Sequence, residues 1–310
     1  IINYFPLINP PILLYRDFTK SFSIQSRARE MDDLKIILMT DLDGTLLDHN
    51  TFDYEPIKTF MRELLDSGVE IIPNSSKTSE ELDHFCADFG QRLPYVSENG
   101  AALYHSEMFS GEFSGEQRGP KVLGKPVVEL MTVWTNQISS QLRELCVFLD
   151  ETVRIFQSEH LGLSGEALDR AMRRNYSRPF MFQGSDDEFD ALKSEADQLH
   201  LNVLRGGRVC NLSGNHDKAD SIPVIRSLLS TTADRIVIVG LGDGDNDVKM
   251  LQGSDIACVI PRPNQPHLSF EATQKSQKII NASLPAPHGW QEAIHAAIAF
   301  LKIQYGYSYG

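Results

Sequence analysis

Two short runs of the sequence gather carboxylates at the ends of apolar segments, where a hard cation and a phosphate could be handled together. The first is Asp41-Leu42-Asp43-Gly44-Thr45-Leu46-Leu47, directly after the apolar residues 35–40 (KIILMT). Side chains two positions apart on an extended strand end lie on one side, so Asp41 and Asp43 can point into one pocket. DxDG by itself is as readily an acidic surface turn; the buried-type strand before it and Thr45 after it make this run more specific. The second is Gly242-Asp243-Gly244-Asp245-Asn246-Asp247, after the apolar stretch at 236–239. Read as a calcium loop from Asp243, it has Val248 at position six where Gly belongs and Ser254 at position twelve where Glu belongs. Read as a dinucleotide fingerprint from Gly240 and Gly242, it has Asp245 where the third Gly belongs. What remains is an acidic loop that holds a hard cation through part of its shell, as magnesium sites do when they share the ion with a phosphate.

Two further pieces gain weight from these. Asn74-Ser75-Ser76-Lys77-Thr78 lies between an apolar run at 69–72 and a helical pattern, so hydroxyls and free amides meet at a helix start suited to an anion. Such clusters are also ordinary helix caps. Lys218, in Gly214-Asn215-His216-Asp217-Lys218, precedes the apolar spacing Ile222, Ile225, Leu228, Leu229. Taken singly it reads as a surface lysine.

The elements that must position these residues follow a repeated strand-then-helix order. Segments 35–40, 69–72 and 94–97 are expected strands. Between them Pro56 opens a helix whose apolar residues are Ile57, Phe60, Met61, Leu64 and Leu65, with Gly68 as its stop. Thr78 and Glu81 form a capping box before Leu82, Phe85, Cys86 and Phe89, and Gly90 ends that helix. Segments 236–239 and 256–260 should complete the same sheet. The alternation predicts an α/β fold, a doubly wound parallel-sheet Rossmann-like core with ligands at the carboxyl ends of its strands. The intervening region reads differently, with helical spacing through Ile138, Leu142, Leu145, Cys146 and Leu149 and strand-like pieces at 179–183 and around 202–212. It is expected to be an inserted α+β cap domain at 105–213, with the core formed by 31–104 and 214–310. Residues 1–30, broken by Pro6, Pro10 and Pro11, are expected to be a loosely ordered N-terminal extension, with Met31 a candidate natural start.

Composition narrows the partners. The 310 residues are 41% hydrophobic, enough for a buried core, and 29 Lys plus Arg against 42 Asp plus Glu give a formal charge of −13. Nucleic acid and anionic membranes are therefore poor partners. No apolar stretch reaches the roughly 18 residues of a membrane helix, and Cys86, Cys146, Cys210 and Cys258 lack metal-ligand spacing, which suits reduced thiols in a cytoplasmic protein.

The order DxDGT, strand-end Ser, isolated Lys, GDxxxD resembles the four motifs of the haloacid dehalogenase superfamily, and the long insert between the second and third resembles its type IIB cap. The runs DLDGTLLDHNTFDYEP, NSSKTSEE, PYVSENGAALY, RNYSRPFMFQG, RGGR and LGDGDNDVKML are similar, more narrowly, to the mannosyl-3-phosphoglycerate phosphatase family, from Asp41 to about Pro263. Asp245 departs from that family, where a Pro is common, and residues 1–30 have no counterpart in it.

The resemblance implies a magnesium-dependent phosphatase acting on a small phosphorylated sugar-glycerate. Asp41 is then the nucleophile, Asp43 the general acid and base, and Lys218 the cation that balances Asp41. The implied metal ligands are the Asp41 carboxylate, the Asp43 main-chain carbonyl, Asp243 and Asp247. Ser75 should donate to phosphoryl oxygens beside Ser76, and Thr45 should hold the nucleophile loop in shape. An anionic substrate needs local positive charge, for which Arg173, Arg174, Arg178, Arg205 and Arg208 are candidates, with Arg208 and Lys77 the preferred carboxylate grip. Glu98 and Asn99 are placed either on sugar hydroxyls or in a turn with Gly100. Another sugar-phosphate phosphatase, the glucosyl analogue's included, is the nearest alternative. A phosphomutase and a phosphate-accepting receiver are more distant ones.

Overall fold

A computed structural model describes residues 34–110, 119–206, 208–230, 233, 235–263, 265–266, 268–273 and 277–307. The expected N-terminal extension lies outside the described residues. In chain order the first part holds β1 (Leu34–Thr40), α1 (Glu55–Asp66), β2 (Glu70–Pro73), α2 (Ser79–Phe89), β3 (Tyr95–Ser97), β4 (Ala102–Tyr104) and β5 (Lys121–Val122). The middle part holds α3 (Val127–Gln137), α4 (Ser140–Arg143), β6 (Cys146–Phe148), α5 (Arg154–Leu161), α6 (Gly165–Met172), β7 (Ser177–Phe182), α7 (Asp186–Gln198), β8 (Leu201–Arg205) and β9 (Cys210–Gly214). The last part holds α8 (Ser221–Leu229), β10 (Arg235–Gly242), α9 (Val248–Gly253), β11 (Ile256–Val259), β12 (Lys278–Asn281) and α10 (His288–Tyr305).

The first and last parts share one parallel sheet of order β12-β11-β10-β1-β2. Alternate residues of each strand feed opposite faces. Ile36, Leu38, Val237, Val239 and Cys258 join a core with α1, α2 and α10. Ile37, Met39 and Ile238 join another with α8 and α9. A sheet buried on both faces needs near-continuous apolar strands and parallel crossovers, which is the doubly wound Rossmann-like arrangement. The two expected helix signals act as read: the Thr78 hydroxyl accepts from the Glu81 amide while the Glu81 carboxylate accepts from the Thr78 amide, and Gly90 ends α2 in a left-handed conformation.

The middle part builds its own antiparallel sheet, β6-β7-β9-β8, over a separate apolar core of Trp134, Phe148, Phe180, Phe189, Leu192 and Leu212 among others. This is the α+β cap on the Rossmann-like core.

Two expectations need correction. The helical spacing from Ile138 to Leu149 is not one helix: α3 stops at Gln137, Ile138 is extended, and Cys146–Phe148 becomes β6 by pairing with β7. Tertiary pairing overrides a periodicity that spans one short helix, α4, and a strand. The strand at 94–97 joins the main sheet only through an Asn74–Val96 bridge, and β3 otherwise pairs antiparallel with β4 in a separate three-stranded sheet with β5.

Candidate active site

β1 and β10 are neighbours in register, with Thr40 opposite Leu241, so the residues that follow both strands leave the sheet side by side. The Asp41 amide donates to the Leu241 carbonyl at 2.9 Å, which binds the two turns together at their start. Gly44 has φ of +84°, and a Cβ there would stand 2.6 Å from Asp243 Oδ2. Only glycine permits that approach of the two acidic turns. Thr45 lies in the same turn and its hydroxyl donates to Asp243 Oδ1 at 2.9 Å.

The result is a buried charge cluster. Lys218 Nζ, fully enclosed, contacts Asp41 Oδ1 at 2.5 Å and Asp247 Oδ1 at 2.6 Å. Its carbonyl is held by the Asn74 amide group, which fixes the turn before α8 against the end of β2. The second Asp247 oxygen accepts from the Asp243 and Gly244 amides, 3.0 Å each. Carboxylate oxygens of Asp41, Asp243 and Asp247 come within 4.8 Å of one another. At Asp41, burial pushes the carboxyl up, Lys218 pulls it down, and Asp247, Asp243 and Asp43 push it up again; the balance stands at about 7. Asp243 is raised by burial and by Asp247. For Lys218, burial alone would lower the ammonium, but Asp247 and Asp41 outweigh it and the net shift is upward. Three converging carboxylates, faced by the two cations Lys218 and Arg262, keep one negative charge in excess and suit a hard divalent cation bound through oxygen.

Asp43 lies at the mouth of this cluster. Its Oδ2 accepts from Lys77 Nζ at 2.7 Å, and its Oδ1 is shielded from solvent without a hydrogen-bond partner among the described residues. Ser75 is buried between β2 and β3, its amide donating to the Val96 carbonyl. Ser76 is exposed beside it. A chain of three hydrogen-bonding groups supports the Asp41 turn from behind: Trp290 Nε1 donates to the Thr40 hydroxyl, which donates to the Asp41 carbonyl at 2.7 Å.

The residues expected to grip substrate are dispersed. Glu98 does not face a sugar: its carboxylate accepts from the Asn175 and Tyr176 amides and the Ser177 hydroxyl, so it fastens the start of β7 to the core. Three donors on one carboxylate explain its burial at a position of positive φ. Asn99 also has positive φ, in the turn before Gly100, and its side-chain carbonyl accepts from Asn246 at 3.4 Å. Lys77 engages Asp43 in the ion pair above. Arg208 donates to the Leu161 carbonyl and lies away from the cluster, above the C-terminus of α5. Arg173 pairs with Glu80, Arg178 with Asp150 and Glu151, and Arg205 with Asp186. Arg174 alone of these reaches the core turn, donating to the Ser76 carbonyl and the Ser177 hydroxyl.

Arg262 was missed by sequence reasoning. It follows β11, and its Nε donates to Asp243 Oδ2 at 2.6 Å. The available signal was positional, a lone cation three residues beyond a buried strand of the same parallel sheet.

The comparisons agree with this geometry. Residues 38–114 match the family model of haloacid dehalogenase-like hydrolases. A glucosyl-3-phosphoglycerate/mannosyl-3-phosphoglycerate phosphatase of Persephonella marina is 28% identical over 268 residues, 84% of this chain and 96% of its own length. One of the same name from Methanococcoides burtonii is 27% identical over 272 residues, with the same coverage. Among solved structures, a Thermotoga maritima protein gives a TM-score of 0.57 at 15% identity, covering 85% of this chain and 97% of its own. The sucrose-phosphatase of Synechocystis, solved with sucrose and phosphate, gives 0.51 at 14% identity, covering 87% and 98%. With the ordered motifs and the buried aspartate cluster, these matches make the chain similar to haloacid dehalogenase-like hydrolases and support a phosphoric monoester hydrolase.

Proposed function

We propose that the protein hydrolyses mannosyl-3-phosphoglycerate to mannosylglycerate and inorganic phosphate, with the glucosyl analogue as a second substrate, and that it requires magnesium. The observation that carries the reaction class is the enclosed Lys218 bonded to both Asp41 and Asp247 beside Asp243. The substrate rests on two relatives that share one name at near-complete coverage.

In this reading an Asp41 carboxylate oxygen attacks phosphorus as the bond from phosphorus to the glycerate oxygen breaks. Asp43 delivers a proton to the departing oxygen and becomes a carboxylate. It then takes a proton from a water whose oxygen attacks the aspartyl phosphate, which releases phosphate and restores Asp41. Splitting the displacement in two lets one side chain serve as acid and then base at a single site. Lys218 offsets the charge of Asp41 throughout, Ser75 hydrogen-bonds the phosphoryl oxygens, and Thr45 holds Asp243 against the nucleophile turn. Lys77 fixes the Asp43 carboxylate at the mouth of the cluster. The Asp41, Asp243 and Asp247 carboxylates, with the Asp43 main-chain carbonyl, would hold the cation. When bound, it supplies neutralising charge for a phosphate dianion that otherwise meets an acidic site. Residues 105–213 serve as the cap, closing over the sugar-glycerate.

The test is phosphate release from mannosyl-3-phosphoglycerate, glucosyl-3-phosphoglycerate and simple hexose phosphates, with magnesium or with chelator. Preferred, magnesium-dependent release from the glycosyl phosphoglycerates supports the reading. Release from hexose phosphates only would keep the reaction class and remove the substrate.

A further inference from the structure

The proposed substrate carries a carboxylate as well as a phosphate, and it must approach a protein of charge −13 whose reacting cluster is itself acidic. Two clefts lie between cap and core next to that cluster. One, of about 390 Å³, takes Lys77 and Arg170 together with Glu81 and Asp88, so its fixed charges cancel. The other, of about 580 Å³, is bounded by Arg174 and Arg205 from the cap and Arg262 from the core, against the single carboxylate of Asp245, with Ser76 and Asn246 between them. By its lining the second cleft is the more positive of the two and the better match for an anionic group, with Arg205 and Arg262 each also paired to a carboxylate behind it, Asp186 and Asp243.

Within that cleft the three guanidiniums are not equivalent. Arg205 is exposed, pairs with Asp186 and stacks on the Phe189 ring, which holds it at the outer edge. Arg174 is anchored on the Ser76 carbonyl and the Ser177 hydroxyl. Arg262 is one side chain away from the reacting cluster: its Nε bonds Asp243, whose other oxygen accepts from Thr45. That bond fixes the guanidinium plane. Its Nη2 lies against Gly244, where any Cβ would collide with it, and its two terminal nitrogens make no hydrogen bond among the described residues. A planar fork held at one corner and presenting its terminal nitrogens is the geometry that binds a carboxylate through two parallel hydrogen bonds.

We propose that Arg262 determines specificity by receiving the carboxylate of the departing glycerate, with Arg174 facing it across the cleft. The inference rests on the phosphatase reading above and replaces Arg208 and Lys77 as the carboxylate grip. In 3-phosphoglycerates the carboxylate carbon is two carbons from the ester carbon, so a phosphate at Asp41 leaves the carboxylate within the radius of a residue that touches Asp243. The discriminated substrate class is phosphate monoesters with an anionic leaving group.

The experiment compares kcat/KM for glucosyl-3-phosphoglycerate and for its primary carboxamide, which keeps the shape and removes the charge. The wild type should favour the acid about tenfold to a hundredfold, the range of a charge-assisted pair. Arg262→Met should abolish most of that preference, chiefly through KM, and Arg262→Lys should retain part of it. The ratio is the readout, because a loss common to both compounds reports only the bond to Asp243. An acid-to-amide ratio in Arg262→Met equal to the wild-type ratio would overturn the inference while leaving the phosphatase reading intact. A wild type that releases phosphate from neither compound but does so from hexose phosphates would sink the substrate reading and this inference with it.

Discussion

The core turns and the cap treat their charged residues in opposite ways. At the ends of β1 and β10, Asp41, Asp243, Asp247 and Lys218 are drawn out of water and onto one another, with Lys218 fully enclosed. On the cap, Arg173 and Arg205 point into solvent-exposed ion pairs with Glu80 and Asp186, and Arg178, lying over the Phe148 ring, pairs with the exposed Asp150 and Glu151. Exposed pairs contribute on the order of 0–1 kcal/mol, and nothing forces them to converge. Buried charges must be paired, which is why the core cluster reports chemistry and the cap arginines mostly report solvation.

The largest effect that would break this contrast is in the cluster itself. Lys218→Met leaves Asp41 and Asp247 buried without their cation, and should cost about 3–5 kcal/mol of stability, read by denaturant unfolding, together with loss of phosphatase activity. A stable, active Lys218→Met would mean that the cluster is not held by that lysine. In the cap, Arg208→Ala should change kcat/KM for a glycosyl phosphoglycerate by less than about threefold, since it forfeits one exposed bond to the Leu161 carbonyl. A drop of tenfold or more would restore Arg208 to the substrate site and dissolve the distinction between the two regions.

The boundary between the regions gives a smaller effect. His216, just after β9, is buried against the Glu98 carbonyl, and burial holds its ring below the usual histidine range despite that hydrogen bond and nearby Glu98, Asp220 and Asp217. The unfolded chain therefore binds a proton more readily than the fold does. This contribution is present above the unfolded value of about 6.5, starts to be lost as pH falls below it and is gone below the lower folded value. Asp41, raised to about 7, acts in the opposite sense over the same range, so the readout is the melting-temperature difference between wild type and His216→Asn, which should move against the wild type between about pH 7 and pH 5.

Legibility in the sequence followed the same divide. Asp41, Asp43 and Asp243 could be singled out because each follows a segment whose place in a parallel sheet is nearly forced, whereas Lys218, between β9 and α8, drew its weight from theirs. The register of β1 beside β10 then brings their turns together. Cap arginines have no such register, so the five scatter, with Arg174 and Arg205 lining one cleft while Arg173 and Arg178 pair elsewhere. Glu98 looked like a ligand because it sits at a strand end, yet its partners are amides 77 and 78 positions later, which no local pattern discloses. Arg262 was silent for the complementary reason: β11 placed it correctly, but a single arginine forms no motif. The 138–149 spacing misled because a short helix and a strand can together mimic a helical period over a few residues.

The central claim is that Asp41 carries the phosphoryl group, and trapping it tests this most directly. Enzyme mixed with magnesium and glucosyl-3-phosphoglycerate, quenched in acid and reduced with borohydride, should yield homoserine at position 41 by peptide mass spectrometry. In Asp43→Asn, where both formation and release of the phosphoryl group lose their proton transfer, the adduct should build up and decay more slowly, and none should form in Asp41→Asn. Homoserine at another aspartate, or full turnover by Asp41→Asn, would contradict the account.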